Sequence, residues 1–103
     1  MSLSTHVLDA GRGRPAVGVA VRLDRRDGDG WLPVADGVTD DNGRVPDRFP
    51  TTVAGTHRLV FDTAAHSEFY PEVSVTFTIA DPEEHHHVPL LLSPFAYSTY
   101  RGS

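Results

Sequence analysis

The chain has 103 residues, a formal charge of −5, no cysteine and no lysine. That length supports one domain, spanning 1–103, with a modest core, and the missing cysteines exclude disulfides, thiolate ligands and cysteine nucleophiles together. No apolar run approaches the ~20 residues that span a bilayer, and the arginines are scattered rather than striped as in nucleic-acid-binding chains.

The opening stretch, "MSLSTHVLDA", lacks the basic and apolar regions of a signal peptide, so the expectation is a cytoplasmic protein. A first strand is expected over 4–9. The cluster "AGRGRPA" then reads as a turn, followed by a strand over 17–24. There Val17, Val19, Val21 and Leu23 share one face, and Gly18, Ala20 and Arg22 the other. "DGDG" turns the chain into a strand over 31–36, and "DDNG" precedes one over 44–49. The stretch 56–63 carries Leu59 and Phe61 on a common face. Over 72–80, Val73, Val75, Phe77 and Ile79 alternate with polar residues, as in a half-buried strand. "ADPEE" precedes strands over 86–92 and 95–100. Eight short strands, with no long helix, predict an all-β, antiparallel sandwich. In "HVPLLL", Val88, Leu90 and Leu92 fall on one face and His87, Pro89 and Leu91 on the other. An apolar outward strip of that kind, extended by "PFAYSTY", predicts a subunit interface that includes His87.

Familiar catalytic signatures are missing: no nucleophile elbow, P-loop, dinucleotide fingerprint or His-Glu-x-x-His. "DGDG" and "DDNG" lack the terminal glutamate of a calcium loop and read as tight turns. Histidine is the remaining signal. His85 and His87 are two apart, a strand spacing that suits two ligands of one zinc, with His6 as a third candidate. The competing chemistry is free of metal. A histidine desolvated in an interface stays neutral and can take a proton, while a fixed arginine such as Arg44 holds a developing oxyanion.

Four stretches, "LSTHVLDAGRGRPA", "DDNGRV", "FYPEVSVTF" and "HHHVPLLLSPFAYSTYRGS", together resemble the 5-hydroxyisourate hydrolases, the purine-catabolic branch of the transthyretin-like proteins. The resemblance implies a sandwich of two four-stranded sheets and a homotetramer, a dimer of dimers with active sites between subunits. It assigns catalytic roles to His6, Arg44 and His87 and substrate contacts to Tyr100, Arg101, Gly102 and Ser103. The terminal Tyr-Arg-Gly-Ser would line the cavity. No cofactor or metal is implied, and His85 and His86 are read as structural. The implied reaction is the metal-free opening of 5-hydroxyisourate by water, giving 2-oxo-4-hydroxy-4-carboxy-5-ureidoimidazoline in urate degradation. A transthyretin-like carrier and a zinc hydrolase are the alternatives. One departure stands out: only "AAHSE" occupies the place of the family's short helix, too little for a helix and its connections.

Overall fold

The computed structural model describes residues 2–47 and 49–102, and every described residue is strand, turn or irregular. The chain order is β1 (Ser2–Ser4), β2 (Val7–Asp9), β3 (Arg14–Pro15), β4 (Ala20–Asp27), β5 (Gly30–Val38), β6 (Phe49–Pro50), β7 (Gly55–Asp62), β8 (Glu72–Ile79), β9 (His86–His87), β10 (Leu90–Leu92) and β11 (Tyr97–Thr99). Among these residues no helix is long and apolar enough to cross a membrane.

One four-stranded antiparallel sheet has the order β5-β4-β7-β8. Its first hairpin closes on Gly28 at φ 60, which meets the positive φ that a two-residue β-turn demands. The pairing skips Val34 between Leu23↔Ala35 and Asp24↔Pro33, a bulge. Pro33 is tolerated because β5 is an edge. The facing layer comprises a second four-stranded sheet, β11-β10-β2-β3, and a smaller one, β6-β1-β9.

Those two sheets share a single ladder. Leu3 pairs with His86 and Ser4 with His87, while Val7, Leu8 and Asp9 pair with Leu90, Leu91 and Leu92. All five pairs are parallel with the same sequence offset, so the break between them does not change register. Pro89, which has no N–H, sits at the break. Across it the Val88 amide donates to the Ser4 carbonyl and the Leu90 amide to the His6 carbonyl. The buried Thr5 hydroxyl adds a 2.6 Å bond to the Val88 carbonyl. The all-β class stands, but its defining contact is parallel, contrary to the wholly antiparallel sandwich expected from strand spacing alone.

The core lies between the layers. Val19, Val21, Leu23, Leu59, Phe61, Val73 and Val75 come from one, and Leu3, Val7, Val88, Leu90 and Leu92 from the other. Period-two alternation identified these faces correctly apart from Val17, which is exposed because Gly18 at φ 78 turns the chain before β4 begins. The strand expected over 44–49 is only an isolated pairing at Arg44 followed by the two residues of β6. Pro89 also departs from the outward strip: it is buried, and Leu91 is half-buried. Exposed apolar area lies instead on Leu32, Val34 and Val38 of β5 and on an aromatic patch with Phe69, Phe95, Tyr97 and Tyr100. Within that patch Tyr70 packs edge-on against Phe69 and Tyr97, at centroid distances of 4.9 and 5.0 Å.

No helix fills the connection after β7, in keeping with the short "AAHSE". A single turn closes there, with the His66 and Ser67 amides both donating to the Thr63 carbonyl. His66 Nε2 donates to the Val17 carbonyl at 3.0 Å, and the Ser67 hydroxyl to the Pro94 carbonyl at 2.9 Å. Side-chain bonds to backbone thus anchor a loop too short to be stabilised as a helix.

On the outer face of the first sheet, Asp24 is 1% exposed. It accepts 2.8 Å bonds from Arg22 and from Arg58 on the neighbouring strand. The Arg58 guanidinium also lies 4.3 Å from the Trp31 ring centroid. Burial opposes the Asp24 charge, but the hydrogen bonds and charges of the two arginines outweigh it and hold the carboxyl below its ordinary range. A depressed folded-state value means that this stabilisation is present above the unfolded carboxylate's titration and is lost as pH falls through the folded one. Asp24→Asn is expected to destabilise the fold by about 1.5–3 kcal/mol at neutral pH. It should also flatten the loss of stability below pH ~4, where an unfolded aspartate takes up its proton. Thermal unfolding of both proteins across that range checks this.

Candidate active site

The turn after β5 positions Arg44. Asp40 accepts hydrogen bonds through Oδ1 from the Asn42 amide (2.9 Å) and the Arg44 amide (3.1 Å), and its own amide donates to the Arg44 carbonyl (2.8 Å). An aspartate that bonds backbone ahead of it is the usual way to close such a turn. Gly43 completes it at φ 77 and donates to the Asp40 carbonyl. A Cβ there would collide with the Val7 carbonyl, whereas glycine lets that segment dock and accept a 2.8 Å bond from the Val7 amide. Docking pairs Arg44 with His6 as an antiparallel bridge.

His87 approaches from the other side, carried by β9 next to β1. Its Nδ1 lies 2.7 Å from the Ser4 hydroxyl. The Gly102 amide donates to the His87 carbonyl at 2.8 Å, and the two residues form a second isolated bridge. A Cβ on Gly102 would strike the His87 ring, so only glycine lets the terminal segment lie this close.

A cavity of about 460 Å³ is lined by Ser4, Thr5, Asp40, Arg44, Val45, Pro46 and His87. A neighbouring one of about 430 Å³ contains His6, Pro15, Asn42 and again Arg44. Arg44 therefore joins the two, and the three residues expected to act, His6, Arg44 and His87, meet around it. His87 is shifted below its ordinary value of 6.5. Burial is the main cause, followed by the charges of His6, His85 and Arg44, while a backbone hydrogen bond at Ser4 acts in the opposite direction. The ring is therefore neutral near pH 7 and able to accept a proton.

The other expected contacts are dispersed. Tyr100 and Arg101 line a different cavity of about 300 Å³, together with His86, Phe77 and Val88. Arg101 pairs with Glu84 at 3.1 Å, and both side chains are more than half exposed. Gly102 lies against His87, and Ser103 lies outside the described residues. Among the described residues no three of His, Cys, Asp or Glu converge so as to hold a metal ion.

Strand periodicity missed Ser4, which lines the cavity, and Ser2, whose hydroxyl lies 2.7 Å from His85. They alternate with Leu3 as His6 alternates with Val7, so in "SLSTH" they share the face of His6. What the sequence does not display is the parallel register that sets them beside His85 and His87.

The sequence profile described as the HIUase/Transthyretin family matches residues 3–102. The chain belongs to that family. A 5-hydroxyisourate hydrolase from Salmonella typhimurium is 44% identical over 98% of this chain and 80% of its own length. The solved Klebsiella pneumoniae 5-hydroxyisourate hydrolase superposes with a TM-score of 0.83 at 35% identity, over 99% of this chain and 98% of that one. Sea bream transthyretin in complex with thyroxine gives a TM-score of 0.87, also at 35% identity, over 99% and 95% of the two chains. An (S)-allantoin synthase matches equally well at 31% identity, but this chain spans only 43% of it. Hydrolases and a thyroxine-binding transthyretin thus share this family fold, and the residues lining the cavity must distinguish the two functions.

Gly102→Ala should leave the two-sheet core intact and displace either the terminal segment or the His87 ring. The expected result is unfolding stability within about 1 kcal/mol of the parent, with changed His87 ring signals in the NMR spectrum.

Proposed function

We propose that this protein hydrolyses 5-hydroxyisourate, opening a ring C–N bond to give 2-oxo-4-hydroxy-4-carboxy-5-ureidoimidazoline. What carries the reading is the meeting of His6 and His87 around Arg44 in a chain whose relatives bear that enzyme's name. Neutral His87 takes a proton from water, and the resulting hydroxide adds to a ring carbonyl. Arg44, held by the Asp40 turn, binds the carbonyl oxygen and the charge that develops on it. His6, its backbone paired with that of Arg44, completes the polar wall and assists the proton transfer. Gly102 keeps the terminal segment against His87, and Tyr100, Arg101, Gly102 and Ser103 serve as the substrate contacts.

The protein acts as a homotetramer, a dimer of dimers with its sites between subunits. The support is the exposed Phe69, Phe95, Tyr97 and Tyr100 beside two strands, β8 and β11, that are the terminal strands of their sheets. Sedimentation should give the tetramer mass, and Tyr97→Arg should shift it toward smaller species.

A transthyretin-like carrier is the second reading, favoured by the likeness to the thyroxine-binding protein. A carrier slot is expected to be mainly apolar, whereas Arg44, Asp40 and His87 line this one.

The decisive assay follows the decay of 5-hydroxyisourate generated in place from urate by urate oxidase. Wild-type protein should accelerate it over the spontaneous background. His87→Ala should lower kcat by about 10²–10⁴ and Arg44→Ala by about 10²–10³, with folding and assembly retained. Ligand binding without acceleration would favour the carrier. Because His87 titrates below 6.5, kcat/KM should rise on an acid limb centred below that value and stay level through neutral pH. A limb centred above it would remove His87 as the base.

A further inference from the structure

Beyond the cavity, the face that carries His87 holds an ordered row of polar side chains. His87 Nδ1 lies 2.7 Å from Ser4 Oγ, Ser4 Oγ lies 3.0 Å from His85 Nε2, and His85 Nδ1 lies 2.7 Å from Ser2 Oγ. His87 is half-buried and His85 exposed, so the row leads from the cavity to solvent.

We propose that Ser4 and His85 are positioning residues for His87, forming a Ser2–His85–Ser4–His87 chain that fixes which ring nitrogen of His87 holds its proton and carries that proton outward. This rests on the hydrolase reading above.

Proton counting supports it. A serine hydroxyl has one hydrogen and can accept others. Placed between two imidazole nitrogens, Ser4 donates to one and accepts from the other, so the tautomers of His85 and His87 are set together. In one arrangement His87 Nδ1–H donates to Ser4, Ser4 donates to His85 Nε2, and His85 Nδ1–H donates to Ser2. His87 Nε2 then carries no proton, as a base requires. When Nε2 takes a proton from water, Nδ1 passes its proton to Ser4 as Ser4 passes its own to His85 Nε2. Hydroxide is left for the carbonyl, His87 is neutral again, and the positive charge rests on solvated His85. Arg44, at the same cavity, opposes a charge on His87, which favours moving it outward. The reverse shift lets His87 Nε2–H protonate the departing ring nitrogen. Among the described residues, the charges of His6 and Arg44 act on His87, Asp40 lines the same cavity, and Glu84, paired with Arg101, precedes His85 in the chain.

The test uses full-length wild-type protein, Ser4→Ala, Ser4→Thr and His85→Gln, with two readouts. Under saturating 5-hydroxyisourate, Ser4→Ala and His85→Gln should each lower kcat by about ten- to a hundredfold, the scale of a misaligned catalytic group. KM should hold, the acid limb of the pH profile should move, and Ser4→Thr, which keeps the hydroxyl, should restore the rate. Independently of any substrate, ring ¹⁵N shifts should report Nδ1–H for His87 in wild type and in Ser4→Thr, and loss of that preference in Ser4→Ala. Unchanged kcat and pH profile, or an unchanged His87 tautomer in Ser4→Ala, would overturn the chain while leaving the hydrolase intact. A wild type that fails to accelerate substrate decay would end the hydrolase reading, and the ring shifts would still decide whether Ser4 sets the tautomer.

Discussion

Everything at the candidate site depends on the parallel ladder between the two ends of the chain. Its constant register places Leu3 beside His86 and Ser4 beside His87, then Val7 beside Leu90. A shift of one residue would turn each strand over, sending His87 into the core and Val88 to the surface. Burial of Leu3, Val7, Val88, Leu90 and Leu92 against the opposite sheet opposes such a slip. The apolar faces of these four short strands therefore fix the polar geometry on their other side. Hydrophobic packing sets the register, and the register brings the polar groups together.

The interruption within the ladder is as important as its continuity. Where Pro89 removes a donor, the Thr5 hydroxyl and the amides of Val88 and Leu90 keep the strands paired. At the same point the turn 40–44 docks on β2 through Val7, and Arg44 enters beside His6. Two glycines permit the closest approaches, Gly43 against the Val7 carbonyl and Gly102 against the His87 ring. Local rules supply the turn and sheet pairing supplies its target.

Legibility in the sequence followed the range of the interaction. Alternation revealed most core faces, and "DDNG" marked the turn ahead of Arg44, because both are encoded within a few residues. His87 emerged as a candidate base from its strand face and His6 as a candidate zinc ligand, while their shared catalytic assignment with Arg44 came from the family resemblance. The parallel pairing did not emerge, since nothing near Ser4 encodes a partner at His87, and with it the contacts of Ser2 and Ser4 with His85 and His87 were hidden. Burial of Pro89 and exposure of Val17 contradicted simple alternation. Pro89 lies where the ladder is interrupted, and the other follows from Gly18 at positive φ. Tyr100 and Arg101 illustrate a different limit: a terminal motif was visible as a string, but its residues separate, with Gly102 at His87 and Arg101 paired to Glu84.

Pairing of β1 and β2 with β9 and β10 also constrains the order in which the molecule can assemble. Joining Leu3 to His86 closes a loop of about 80 residues, an entropy cost of about 4 kcal/mol by the logarithmic law for flexible chains. The hairpins among β4, β5, β7 and β8 close far smaller loops and can form while the chain is still being made. On a ribosome, β1 and β2 must wait with one backbone edge unpaired until β9 and β10 emerge. The polar groups around Arg44 thus come together only after β9 has been made, and a chain that stops short of it retains a sheet without a site.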